Sequence, residues 1–465
     1  MAGREPYSSK SRTALVLTGT GTAGAYHAGV LKALSEAGVR IDLVAGLGIG
    51  ATGACFAAID GGEPLWRGDG LWRQPGVARA YPWRTVLTRL AWLGAAALAL
   101  VAVPIAVLAL GIVVFPVAFL LRLASLSASN SLADGYAAFV HNAFLPDRLP
   151  SYLADVALIL MLGGLGMAAL AAWGERSLGP HRELGRFWWR AFAAPFSVRQ
   201  AVDYWRGALW RLISGGAKVA QPDAVQLSRR YSELLTDNLG QPGFREFLAV
   251  VHDIDARRDL VFALLAEPYR SAFFGRKRRT AAWADRANET LDLAGADRDH
   301  LADMLAASLC LPVGTTPWPL TFAAENYWRG ETHRLSCRPG ALVRVLEEVL
   351  AAGADQVILV SATPAPTEAH TLPAVRLDAR GRFSEWLVSG DTAAMRDALA
   401  ARMDQFRNLH VIRPLHNPVG PLDFRGAYDT RSHRTVPFAE LLDVGYADAH
   451  RQFIEPVIGA AEASV

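Results

Sequence analysis

Thr13-Ala-Leu-Val-Leu-Thr-Gly19-Thr-Gly21-Thr-Ala-Gly24-Ala-Tyr-His-Ala-Gly-Val-Leu-Lys-Ala-Leu-Ser-Glu-Ala-Gly38 runs from a short apolar segment through a glycine-rich turn into an amphipathic stretch. The apolar segment reads as a buried strand. Val30, Leu31 and Leu34 line one side of the helix that follows, and Gly38 suits the residue just past its end. Ile41-Asp-Leu-Val-Ala then enters Gly46-Leu-Gly48-Ile-Gly50-Ala, a second strand-to-helix turn. Two such units in immediate succession predict an α/β domain built on a parallel sheet.

The chain of 465 residues is long enough for two or three domains. Hydrophobic residues make up 52% and charged residues only 20%, too apolar for a disordered chain and suggestive of contact with lipid. A net charge of +3, dispersed along the chain, excludes nucleic-acid binding as the leading class. Cys55, Cys310 and Cys337 are few and far apart, which fits neither a disulfide framework nor a zinc site and points to a reducing compartment. None of the 11 histidines forms a paired ligand spacing, so no metal is expected, and no cofactor either.

Residues 1–12 read as a polar tail without a secretory signal. Leu90 to Leu121 carries no charge, about 48 Å as a helix against a hydrocarbon core of roughly 30 Å. Val156 to Gly174 is a second uncharged stretch. These predict a membrane insert over 76–180 with transmembrane helices at about 90–121 and 153–174. Arg79, Arg84 and Arg89 precede the pair, and Arg176, Arg182, Arg186 and Arg190 follow it, whereas Arg122 and Arg148 between them are offset by Asp134 and Asp147. The positive-inside rule then places both flanks in the cytoplasm of a bacterial-type inner membrane. An even number of crossings is also required if the flanks form one domain. The segment 181–219, with Arg186, Trp188, Trp189 and Arg190, suits an interfacial position at the headgroup level and equally a surface helix packed on the domain by its Trp face. The basic run Arg276-Lys-Arg-Arg279 reads either as a solvated loop or as a contact for anionic lipid.

Two chemistries use glycine turns of this kind. Gly19-x-Gly21-x-x-Gly24 with Asp42 matches a dinucleotide fingerprint, but Asp42 falls at the amino end of its strand, away from the loop. In acyl transfer, a Gly-x-Ser-x-Gly elbow exposes a nucleophile and backbone N–H groups hold the oxyanion. The two loops, Gly19-Thr20-Gly21-Thr22-Ala-Gly24 and Gly46-Leu-Gly48-Ile-Gly50, resemble the oxyanion loop and elbow of the patatin-like phospholipase family. The resemblance extends to strands at Glu246-Phe-Leu-Ala-Val-Val and Asp259-Leu-Val-Phe-Ala, to Leu305-Ala-Ala-Ser-Leu-Cys-Leu-Pro312, and to Tyr327-Trp-Arg329-Gly330-Glu331 in the place of the family's Asp-Gly motif. It implies a patatin-like parallel-sheet sandwich in two parts, 13–75 and 220–375, interrupted by the two-helix transmembrane insert, with 376–465 as an extension packed on it.

Measured against that family, the nucleophile position is Gly48 and the dyad position is Arg329, so neither nucleophile nor base is present. The expectation is therefore a lipid-binding pseudoenzyme whose glycine loop (Gly19, Thr20, Gly21, Thr22, Gly24) and elbow (Gly46, Gly48, Gly50) persist. The alternative is a lipid acyl hydrolase with Thr52, Cys55 or Ser308 as a substitute nucleophile and Glu331 or His27 as base. Membrane lipids are the expected partners, with a protein partner or self-association left open.

Overall fold

A computed structural model describes residues 7–124, 128–174, 187–215, 217, 219–275, 288–367, 372 and 375–459. Two compact units divide the chain, one comprising Met1–Pro82 with Phe196–Val465 and the other Trp83–Pro195.

In the first unit β1 (Thr13–Gly19), α1 (Ala23–Glu36), β2 (Leu43–Gly48) and α2 (Ile49–Ala57) follow one another as the glycine turns dictate. After the insert come β3 (Glu246–Asp253), β4 (Arg258–Leu264), β5 (Thr290–Asp292), the hairpin β6 (Trp318–Thr321) and β7 (Thr332–Ser336), then β8 (Gln356–Ser361) and β9 (Asn408–Ile412). The sheet order is β5-β4-β3-β2-β1-β8-β9, with β7 also on β3 and β6 on β7. β1, β2, β3, β8 and β9 pair in parallel, whereas β4 and β7 run antiparallel to β3. The result is a mixed α/β fold with a mostly parallel sheet.

Strand residues alternate between two cores, as a period of two requires. Leu15, Leu17 and Val44 face α1, α2 and a helix at Leu301–Leu309. Ala14, Val16, Ala45 and Leu47 face the opposite layer, made by helices at Leu342–Ala351 and Ala379–Arg402. Glu440–Ala449 packs along α1, where the Tyr26 hydroxyl donates to Asp448 at 3.0 Å.

The second unit is helical: Thr85–Ala109, Gly111–Leu123, Ala128–Ala143 and Leu149–Gly174. The first two form a 39-residue run with mean hydropathy 3.0, and the last has mean hydropathy 2.1. Both runs are long and apolar enough to cross a membrane. Their apolar side chains are exposed rather than packed away, Trp92 and Leu98 at 77% and Trp173 at 82%, which is not how a buried core hairpin behaves. The first apolar stretch is not one continuous helix. It breaks at Leu110, where the Tyr136 hydroxyl donates to the carbonyls of Val107 and Leu108 at 2.9 and 3.0 Å, beyond Pro104.

The aromatic and Arg-rich segment divides. Trp188 and Trp189 are exposed and belong to the second unit. The helix Arg199–Ser214 belongs to the first unit and buries Trp205 and Trp210, the arrangement of a surface helix packed on the domain by its Trp face. The physical reason is aromatic packing: Trp205 lies 5.0 Å from Trp72 and 5.8 Å from Phe56, and the Tyr204 hydroxyl donates to the Leu71 carbonyl. Arg176, Arg182, Arg186 and the Arg276–Arg279 run lie outside the described residues.

Candidate functional site

β1 and β2 end side by side, with Gly19 in register with Gly48, so both glycine turns emerge at the carboxyl edge of the sheet where open α/β folds place ligands. Gly48 stands at φ 62, ψ −133 and starts α2, a strained strand-to-helix turn of the elbow kind. A Cβ there would overlap the Gly19 carbonyl oxygen, and its nearest side-chain atom would be Cys337 Sγ at 3.2 Å. The elbow is shaped but closed to any side chain.

The glycine loop is closed too, by a segment 400 residues away. Thr22 N–H donates to the Pro421 carbonyl at 2.9 Å, and the Thr22 hydroxyl donates to the Gly420 carbonyl at 2.8 Å. Gly21, at φ +55, has its Cα so near Pro421 that a Cβ would overlap that carbonyl. The Pro421 segment is itself fastened: Arg376 is bidentate to Asp423 at 3.0 and 3.1 Å, Asp423 accepts from Gly420 N–H, and Arg380 donates to the Leu422 carbonyl. Gly19, Thr20, Gly21, Thr22 and Gly24 are all buried. Gly24 abuts Trp72, while Gly46 and Gly50 abut backbone, so close packing alone accounts for these three.

The remaining sequence candidates do not assemble. Arg329 is exposed on the β6–β7 turn, whereas Gly48 is buried. Thr52, Cys55 and Ser308 are at most 2% exposed; Ser308 donates to the Leu305 carbonyl, and burial pushes the Cys55 thiol up. Glu331 is engaged with His333 Nε2 at 3.2 Å, and the other nitrogen of that ring is 2.5 Å from Asp253. Asp42 accepts from Thr13 N–H at the start of β1, the far end of that strand from the glycine loop, which leaves the dinucleotide reading without its carboxylate. Among the described residues no group of three or more His, Cys, Asp or Glu is arranged to hold a metal ion.

His27 sits beneath the loop, its Nε2–H donating to the Thr18 carbonyl at 3.1 Å while Nδ1 has no partner. Burial lowers its pKa to about 4. The unfolded chain therefore binds the proton first as pH falls, so this group's stability contribution is full above about pH 6.5 and is lost towards pH 4, by about 3 kcal/mol. His27→Gln is expected to gain that amount relative to the parent between these limits, read from melting curves across pH. Identical pH dependence in the two proteins would show that the ring is not held neutral.

Two residues that sequence reasoning passed over bear on this site. Cys337, at 5% exposure, is the side chain that faces the elbow, and burial pushes its thiol well up. Asp391 lies on the Ala379–Arg402 helix, in line with the buried Leu387, Met395 and Ala398, and its charge acts on Cys337. A lone acid on such an apolar stripe was visible in the periodicity.

Residues 15–144 match the patatin-like phospholipase family. The patatin-like match begins in β1 and runs across the elbow into the helical unit. No curated protein matches the chain. Among solved structures it is similar to VipD from Legionella pneumophila, at 12% identity and a TM-score of 0.30, covering 95% of this chain and 66% of that one. The chain thus spans about two thirds of VipD's length, and a likeness this loose carries no chemistry.

Proposed function

We propose that this patatin-like chain is a catalytically silent protein, held at a membrane by its apolar helices, that binds lipid without cleaving it. The carrying observation is the elbow: Gly48 keeps the strained backbone of a nucleophile turn, yet a side chain at that position would overlap Gly19. The filled Thr22 amide supports the same reading, because an oxyanion needs free donors. The family implies lipid substrates. Membrane anchoring is supported by the two apolar runs and by exposed Trp83, Trp173, Trp188 and Trp189 near their ends, where interfacial aromatics belong. The arginine asymmetry of the sequence favours the cytoplasmic leaflet.

The test is fatty-acid release from phosphatidylcholine/phosphatidylglycerol vesicles by the full-length protein purified in detergent. Release is expected to stay at the level of a heat-inactivated control. One observation favours a second reading, a hydrolase with a displaced nucleophile: Cys337 Sγ lies 3.2 Å from where a nucleophile's Cβ would be. Release by the parent that Cys337→Ala abolishes would establish that reading and overturn the first.

A further inference from the structure

The chain leaves the first unit at Pro82 and returns to it at Phe196, and the two ends are stitched together. Ser197 N–H donates to the Pro82 carbonyl at 2.9 Å, and Phe196 N–H donates to the Gly314 carbonyl at 3.0 Å. Phe196 is buried beside the Phe383 ring at 6.0 Å, with the Arg380 guanidinium over it at 5.6 Å.

Around this root the surface is apolar with a basic edge. Val313, next to Gly314, is 83% exposed and stands at φ +62, a conformation that a β-branched residue holds only under strain. Strain of this kind persists only where the surrounding structure holds it. Trp386, 56% exposed, stacks on Phe383 at 6.0 Å, and Leu377 at the head of the same helix is also exposed. Arg199 and Arg382 are exposed nearby in the chain, two residues after Ser197 and one before Phe383.

We infer that this root surface is a bilayer-contact patch, with Val313 and Trp386 entering the interfacial layer and Arg199 and Arg382 meeting anionic headgroups. The inference rests on the membrane-anchor reading above. Only Trp83 and Arg84 separate Pro82 from the first apolar helix, a length of about 10 Å when extended. A tether this short keeps Pro82 and its surroundings within reach of the headgroup layer once that helix is in the bilayer. Basic side chains at such a surface are drawn to anionic lipid, and indole rings prefer the same depth.

The experiment uses the full chain in phosphatidylcholine/phosphatidylglycerol vesicles carrying doxyl-labelled phosphatidylcholine. An environment-sensitive fluorophore is placed in turn at Val313→Cys, at Ile105→Cys in the apolar helix, and at Tyr428→Cys elsewhere on the first unit; the three native thiols are buried. Quenching is expected at 105 and 313 and not at 428. Trp386→Cys, on a regular helix, repeats the reading without touching the strained turn. If 105 is quenched while 313 and 386 are no more quenched than 428, the patch is overturned and the anchor stands. If 105 itself is not quenched, the anchor reading fails and the patch with it.

Discussion

Gly48→Ser, which writes the family's nucleophile back into the elbow, is expected to release no fatty acid and to cost about 4 kcal/mol of stability. Two effects combine. A residue with a side chain at φ 62, ψ −133 carries backbone strain of about 1–3 kcal/mol. Its Cβ also overlaps the Gly19 carbonyl oxygen, and forcing extra atoms into a packed site costs about 1–3 kcal/mol more. The hydroxyl, if accommodated, meets Cys337 and no base. Gly48→Ala should lose stability to the same extent, because the Cβ and not the hydroxyl is at fault. Melting of both variants beside the parent, with fatty-acid release measured on the same preparations, checks this. A Gly48→Ser protein as stable as the parent, or one that cleaves phospholipid, would mean that the glycine loop opens readily.

Asp391→Asn should have the opposite sign, stabilising the protein at pH 8 and changing it little at pH 4; the carboxyl is half-buried, so solvent screening holds the gain to about 2 kcal/mol. Burial raises this carboxyl to about 7, so the folded state prefers it protonated. Its favourable contribution is present below the unfolded value of 3.8 and is lost as pH rises through 7, after which a charge is held in a poorly solvated place. His27 runs the other way over nearly the same interval. The two contributions oppose each other in the parent over this interval. Asp391→Asn uncovers a rise in stability with pH due to His27, and His27→Gln uncovers a fall due to Asp391. Melting temperatures across pH 4–8 separate the cases, and a flat profile in both variants would show that neither group is perturbed.

What was legible in the sequence is what local chemistry determines. Apolar runs ending in glycine turns marked β1, α1, β2 and α2, and long uncharged stretches marked the helices of the second unit. What escaped is non-local. Nothing in Gly420-Pro421 announces that its carbonyls fill the amide and hydroxyl of Thr22, since either end reads as an ordinary turn. Cys337 was set aside with two other scattered cysteines, and only the sheet brings it to Gly48. The Arg199–Ser214 helix shows a different limit. An amphipathic helix with tryptophans on one face has the same pattern whether that face meets lipid or Trp72 and Phe56. Composition could not choose between them.

The closure of Thr22 by Pro421 also sets an order of events during synthesis. The first four elements leave the ribosome early, yet β2 lacks its outer neighbour until Glu246 emerges, and β1 lacks its second neighbour until Gln356. At ~5–20 residues per second the nascent strands wait roughly 10–40 s for β3 alone. The apolar helices emerge within that interval. Those helices are therefore complete before the sheet is, and the Gly420-Pro421 segment can engage Thr22 only after β8 and β9 have emerged.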